Sequence, residues 1–384
     1  MPIFMDRHDL PESVTAEEVA RLHQEDLKIE HKFGCKGMTY WFDEVRNTAF
    51  CLIQAPNKQA LQDMHNAAHG AVANQIIEVE PSIVESFLGR IEDPVKARNT
   101  DLNIINDPAF RVLMVVRRSP SLAEKHNRGV TSDVSNLDVN KQKEHKMDPA
   151  AWNEALTGIV NDFGGTLVQS EGSRQLISFR SVSDGLNCAR NLIDHVNSVN
   201  TTNDKNKTSS ENLEIKIGLS SGLPFEHDEG LFKETIEQAD RLCNAVIGKI
   251  IINSELRYLY ESENQNTTLP GEGIRALDPE EERFLNALMD FLENSYARAD
   301  LKVEHFSLDL GLSKAQLYRK VKRLTGRSLN AFVKDYRLEK ALQLLLRKQG
   351  NISEIAFDTG FNSPAYFSKC FSQTYGILPS KLVN

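Results

Sequence analysis

From residue 284 to the C-terminus the chain carries two short helix pairs, each broken by a glycine and restarted by a serine. No other feature constrains the fold as much. In VEHFSLDLGLSKAQLYRKVKRLTG, Gly311 ends one helix and Ser313 caps the next, whose buried stripe is Leu317, Val321 and Leu324. In ISEIAFDTGFNSPAYFSKCFSQTYG, Gly360 makes the turn, Ser363 the cap, and Tyr366, Phe367 and Phe371 punctuate the helix that follows. Between them AFVKDYRLEKALQLLLRK reads as one continuous amphipathic helix. The segment is therefore all-α, two helix-turn-helix units joined by a helix.

The polar faces of the two restarted helices differ from the rest of the chain in charge. The first offers Lys314, Gln316, Arg319, Lys320, Lys322 and Arg323, and the second Asn362, Ser368, Lys369, Ser372 and Gln373. The whole chain of 384 residues has a formal net charge of −9. Residues 284–384 hold 15 Lys and Arg against 9 Asp and Glu, a net of +6, which leaves −15 for residues 1–283. A basic end on an acidic body points to a polyanion at that end alone. The bland alternative is a helical bundle with a solvated cationic face.

YRLEKALQLL in the linking helix, ISEIAFDTGFNSPAYFSKCF in the second unit and the closing YGILPS resemble the DNA-binding domain of the AraC/XylS family of bacterial transcription regulators, over about residues 284–381. The chain departs from that pattern at its end, where KLVN lacks a basic tail. The resemblance implies that each restarted helix enters a major groove, the two about 34 Å apart, one turn of DNA. On that expectation Lys314, Gln316, Arg319 and Lys320 meet the first groove with Arg323 beside them, and Asn362, Ser363, Ala365, Tyr366 and Lys369 meet the second. Which of them read bases and which hold phosphates is left open by the sequence.

The first hundred residues alternate strand, helix, strand, strand, helix, strand, which is the ferredoxin-like order. Thr15 and Glu18 make a capping box ahead of the first helix, and MTYWFDEV and TAFCLIQA form a hairpin about Arg46 and Asn47. Five of the ten histidines, His8, His23, His31, His65 and His69, fall here. His65 and His69 are four apart on one helix, and Asp6 and His8 share one side of a strand. Imidazoles with nearby carboxylates suit nickel, copper, zinc or iron, although a histidine pair on a surface helix is often merely solvated and His23 reads equally as a core residue.

MPIFMDRHDLP, TAEEVARLHQEDL, YWFDE, FCLIQAP and MHNAAHG resemble a family of small ferredoxin-like bacterial proteins described as nickel-binding, over about residues 1–80. The resemblance implies a site for nickel or another divalent transition metal at His8, His23, His65 and His69, with Asp6, Asp26, Glu44 and Cys51 as neighbours.

RVLMVV, TLVQS, QLISFR, LEIKIGLSSG and KIIIN predict a second α+β unit with strands and helices over 108–260. With GSRQLISF and EQADRL these resemble a degenerate class III nucleotide cyclase domain. Catalysis in that family needs two metal-holding aspartates, where this chain has Val116 and Ser173; Glu237 replaces an asparagine, and Arg241 remains. No enzyme activity is expected of it, and a ferredoxin-like spacer or dimerisation domain is the alternative. The polar stretches 119–148 and 200–212 read as insertions, and 95–107 and 261–283 as linkers.

The expectation is thus a multidomain chain, two α+β ferredoxin-like domains (1–95 and 108–260) followed by an all-α double helix-turn-helix domain (284–384). It would act as a sequence-specific DNA-binding regulator whose affinity responds to a metal or small-molecule effector, as a homodimer on double-stranded DNA. The rivals are a nucleotide cyclase or nucleotide-sensing enzyme fused to a DNA-binding domain, and a metal storage or trafficking protein. No apolar stretch is long enough to span a bilayer, the start lacks signal-peptide character, and five scattered cysteines with no CxxC pair fit a reducing, cytoplasmic compartment.

Overall fold

The computed structural model describes residues 1–71, 73–94, 102–120, 149–202, 213–226, 230–264, 269 and 273–383. Most of the expected insertions, 121–148 and 203–212, lie outside them, as do 95–101 and most of 265–272. The chain falls into two compact units, Met1–Val115 with Thr157–Cys188 and Ser220–Gln238, and Val116–Leu156 with Ala189–Leu219 and Ala239–Asn384. Among the described residues no helix is long and apolar enough to cross a membrane.

The N-terminal elements follow the expected order: β1 Ile3–Asp9, α1 Ala16–Phe33, β2 Lys36–Asp43, β3 Thr48–Gln54, α2 Lys58–Ala68 and β4 Gln75–Glu78. The Thr15 and Glu18 capping box is formed, and Asn57 caps α2 through Ala60 N–H. The antiparallel sheet has the order β2-β3-β1-β4, with Asp6 opposite Cys51 on one side and Ile76 on the other. Because strand side chains alternate, Phe4, Asp6 and His8 share a face, and Phe4 lies in the core with Val19, Leu61 and Met64 of the two helices. Two buried polar side chains thereby sit at the edge of an apolar core.

A further helix, α3 Pro81–Leu88, follows β4 and is absent from the sequence reading. Its last carbonyls are held by Arg111, whose fully buried guanidinium donates to Phe87 O (2.9 Å), Leu88 O (3.2 Å), Pro108 O (2.7 Å) and Phe110 O (2.8 Å). Two acceptors at the C-terminus of α3 and two in the segment that leads into β5 satisfy the charge, although burial still pulls its pKa down to about 10.

The next elements are β5 Arg111–Pro120, α4 Pro149–Asp162, β6 Thr166–Glu171, β7 Arg174–Phe179, α5 Val182–Thr202, β8 Leu213–Gly222, α6 Lys233–Ala245, β9 Ile250–Ile252, α7 Ser254–Glu263 and β10 Ile274–Ala276. The six strands are ordered β10-β9-β8-β5-β7-β6; β6 and β7 form the expected antiparallel hairpin, while β8, β9 and β10 run parallel. The expected linker 261–283 therefore needs correction, since Ile274–Ala276 pairs with Ile250–Ile252 and α7 reaches Glu263. Three residues are too few to show a period, and pairing with β9 decides their conformation. α6 lies close on β8, because a Cβ on Gly218 would come within 2.3 Å of Ala239 O.

The rest is all helical: α8 Pro279–Ser295, α9 Val303–Asp309, α10 Lys314–Thr325, α11 Leu329–Leu346, α12 Ile352–Asp358, α13 Pro364–Tyr375 and α14 Ser380–Val383. Two cores lie along it. Leu285, Leu288, Phe306, Leu317, Val321 and Leu324 pack with Leu242, Val246 and Ile251 and with Phe332 and Val333 of α11. Leu338, Ala341 and Leu345, further along α11, pack instead with Ile355, Phe361, Phe367 and Phe371.

Candidate nucleic-acid interface and metal centre

Both helix-turn-helix units are built as the residues require. Gly311 and Gly360 adopt φ of +62° and +80°, and Ser313 and Ser363 cap α10 and α13 by accepting from Gln316 N–H and Tyr366 N–H (3.3 Å each). Leu317, Val321 and Leu324 are buried on α10, and Phe367, Cys370 and Phe371 on α13. The opposite faces carry the expected residues outward: Lys314, Gln316, Arg319 and Arg323 on α10, Ala365, Tyr366 and Lys369 on α13 with Asn362 in the turn just before it, all exposed. Lys320 and Ser363 are half-buried.

The two faces differ in what already occupies them. Lys314 pairs with Glu304, Lys320 with Glu280, and Arg323 with Glu281 at 3.0 Å and Asp278 at 3.8 Å. Gln316 turns its Oε1 back to Ser313 N–H (3.0 Å), closing a capping box. Arg319 on α10 and Lys369 on α13 have no ion pair among the described residues. Sequence reading missed Tyr318, 57% exposed beside Arg319, and the acidic partners Asp278, Glu280 and Glu281. The run DPEEE was the available signal.

At the N-terminal site, β1, α1, α2 and β3 bring together six of the eight expected residues. His65 stands between two carboxylates, its Nε2 2.7 Å from Asp6 Oδ2 and its Nδ1 3.1 Å from Asp26 Oδ1. His69 Nε2 lies 3.2 Å from Asp26 Oδ1, and His8 Nε2 3.5 Å from Asp6 Oδ2. The other Asp6 oxygen accepts from Cys51 N–H at 3.0 Å. Two groups, Asp6, His8 and Cys51, and Asp26, His65 and His69, each hold three ligand atoms within 4.8 Å of one another.

Burial opposes the charge on Asp6, but His8 and His65 outweigh it and hold the carboxyl far below the usual carboxylate range. Asp26 is likewise lowered, against its burial, by His65 and His69. Burial would depress His65, but Asp26 and Asp6 push it up to about 10. The Cys51 thiol is raised well above its ordinary value by burial and by Asp6 and Asp26. Imidazole, thiol and carboxylate donors fit a borderline-soft divalent ion such as nickel or zinc better than a hard one such as magnesium.

Two expected residues lie outside these groups. Glu44 is exposed on the turn between β2 and β3. His23 is buried with its ring 5.0 Å from Tyr40 and its Nε2 3.4 Å from Asp93 Oδ2. Asp93 follows α3, and nothing in its spacing marks it as a partner of α1.

Comparison with known proteins agrees with these two ends of the chain. Residues 4–79 match the family described as nickel responsive protein SCO4226-like, and residues 307–384 the family described as helix-turn-helix domain. The chain is 34% identical over 137 residues to histidine kinase P4 of Formosa agariphila, covering 35% of this chain and 10% of that protein. It is 34% identical over 95 residues to the HTH-type transcriptional activator RhaS of Mannheimia succiniciproducens, covering 25% of this chain and 35% of that one. The chain thus spans at most about a third of either relative. The solved structure of SCO4226 from Streptomyces coelicolor A3(2) is 32% identical and covers 20% of this chain and 94% of that one, with a TM-score of 0.19. The chain is multidomain, with an N-terminal segment similar to the nickel responsive SCO4226-like proteins and an all-α C-terminal segment similar to helix-turn-helix domains of the AraC type.

Proposed function

We propose that the chain is a transcriptional regulator that binds double-stranded DNA through α10 and α13 and responds to nickel or another divalent transition metal at its N-terminal site. The observation that carries this is the repeated unit at the C-terminal end: two glycine turns, two serine caps and two helices that bury one stripe and expose cationic and polar side chains on the other. Arg319 and Lys369 stand clear on the two helices, and Asn362, Ala365 and Tyr366 lie at the start of the second, where groove contacts are made.

His8, His65 and His69 with Asp6, Asp26 and Cys51 would hold the metal, His23 standing apart with Asp93. A bound divalent ion would bring positive charge to a site whose carboxylates now face an imidazolium. The residues then act by linkage: an ion that prefers one arrangement of this site shifts the protein toward or away from a DNA-competent form only by its differential affinity.

The division into 1–95, 108–260 and 284–384 belongs to this reading, with the first two parts ferredoxin-like; the βαββαβ order and the sheet order β2-β3-β1-β4 support it for the first. The middle part is a cyclase-like module without cyclase chemistry. Val116 lies wholly inside the core, Ser173 is exposed on the turn between β6 and β7, and Arg241 is taken up by Asp290 and Glu293. A homodimer on paired sites completes the proposal.

Titrating the full chain against genomic DNA fragments over a range of salt, with and without nickel, tests it. Expected are a negative log-log slope, preference for particular fragments, and a nickel-dependent shift abolished by His65→Ala with His69→Ala. A chain with no sequence preference is not a regulator of this kind, and a shift untouched by the two substitutions removes the metal from the mechanism.

A further inference from the structure

The DNA-facing residues leave unused a junction of charge at the waist of the helical segment. Arg117 on β5, with a side chain 20% exposed, donates to Glu339 of α11 and lies 3.3 Å from Asp240 of α6. Burial opposes its charge, but Glu339 and Asp240 more than restore it. Next along α6, Arg241 holds Asp290 (2.6 Å) and Glu293 (2.8 Å) of α8. Burial pushes up the pKa of the hydroxyl of Tyr375, the last residue of α13, and the charge of Glu339 adds to that shift.

The position of Glu339 gives this junction its meaning. Leu329, Phe332 and Val333 commit the first half of α11 to the core that holds α10, while Leu338, Ala341 and Leu345 commit the second half to the core that holds α13. One helix thus carries both recognition helices, and their relative placement depends on how α11 is held at the changeover. The helical segment supplies its own tie in Arg337, which donates to Tyr296 O (2.8 Å) and Arg298 O (2.6 Å). The sheet supplies another through Arg117, whose planar fork spans two carboxylates on different helices. Without it, Glu339 and Asp240 would face each other half-buried and repel.

We propose that Arg117, acting through Glu339, is a positioning residue for DNA recognition: it fixes the placement of α13 relative to α10 and so the half-site spacing that the protein accepts. The inference rests on the reading of α10 and α13 as the DNA-contacting pair.

The test uses the full chain and a DNA fragment that it selects, resynthesised with the two half-sites at the natural spacing, with one or two base pairs added or removed, and with each half-site alone. Wild type should discriminate among spacings, and Arg117→Ala and Glu339→Gln should each reduce that discrimination roughly fivefold or more, with no further loss in the double variant, as expected of a coupled pair. Affinity for single half-sites should stay within about twofold, because the recognition helices themselves are untouched. Arg117→Lys should restore part of the discrimination. Glu339→Gln keeps the shape of the residue it replaces and decides the matter should Arg117→Ala not fold. Unchanged spacing preference in the variants, or a uniform loss on all DNAs including single half-sites, would overturn the proposal. Absence of any sequence preference in the wild type would remove the DNA reading itself, and the positioning role with it.

Discussion

His65 is one imidazole against two buried carboxylates, and its proton is shared chemistry for the whole N-terminal site. Its folded pKa of about 10 lies above the ordinary 6.5, so its contribution to stability is fully present below 6.5 and is lost as pH rises through 10. Asp6 and Asp26 are lowered from 3.8, so their contribution is present above that value and is lost as pH falls below it. The chelator-treated chain should therefore be most heat-stable between about pH 4 and 6.5, with a slow decline toward pH 10 that Asp6→Asn flattens while costing roughly 3–5 kcal/mol, the range for breaking a buried pair. Thermal melts across pH check both; a midpoint that climbs from pH 7 to 10 would contradict them. The spacing of Asp6 with His8 and of His65 with His69 was legible in the chain because strand and helix periods are short-range. That Cys51 stands opposite Asp6, and that His23 turns to Asp93, depends on strand register and on the path after α3, which no local pattern encodes.

Among elements, the two turn glycines look alike in the sequence and differ in the fold. Gly311 has φ of +62° and open space where a Cβ would sit, so Gly311→Ala should cost about 1 kcal/mol, the left-handed penalty alone. At Gly360, φ is +80° and a Cβ would come within 2.4 Å of Tyr296 O, with Arg337 close behind. Gly360→Ala should therefore cost well over the roughly 1 kcal/mol of its neighbour, since backbone must move as well. Denaturant titrations of the two variants give the comparison, and equal costs would mean that α8 and the second turn are not held together as described. Helices and strands with several apolar repeats were readable from their periods, α10 and α13 among them, while α9 and α12, seven residues each, were marked by the turn glycines that follow them. Short elements outside that repeated pattern were not: α3 has eight residues and begins at a proline, and β10 has three. Arg111 and the pairing with β9 hold these in place, and both are contacts distant in sequence.

For the molecule as a whole, the division of charge takes a different meaning once the fold is known. Counted from residue 284 the C-terminal segment carries +6, but α8 begins at Pro279 behind its cap Asp278, and including 278–283 adds four acidic residues and one arginine, for a net of +3. Three of those acids, Asp278, Glu280 and Glu281, are the partners of Lys320 and Arg323 on α10, so two cations expected to meet DNA are already shared. Exposed pairs of this kind are weak, worth roughly 0–1 kcal/mol, and a phosphate can compete for them. Each one nonetheless lowers the number of counterions that DNA binding releases. Glu280→Gln with Glu281→Gln removes two negative charges while leaving Gln able to accept from Asp278 N–H in the capping box. The double variant should bind DNA more tightly at low salt, and its log-log salt slope should steepen by up to about 1.8, close to 0.9 for each cation released to phosphate. Sequence preference should narrow, because phosphate contacts strengthen every site alike. A slope equal to that of the wild type would show that Lys320 and Arg323 never reach the backbone, leaving Lys314, Arg319 and Lys322 as the cations of α10 available to DNA.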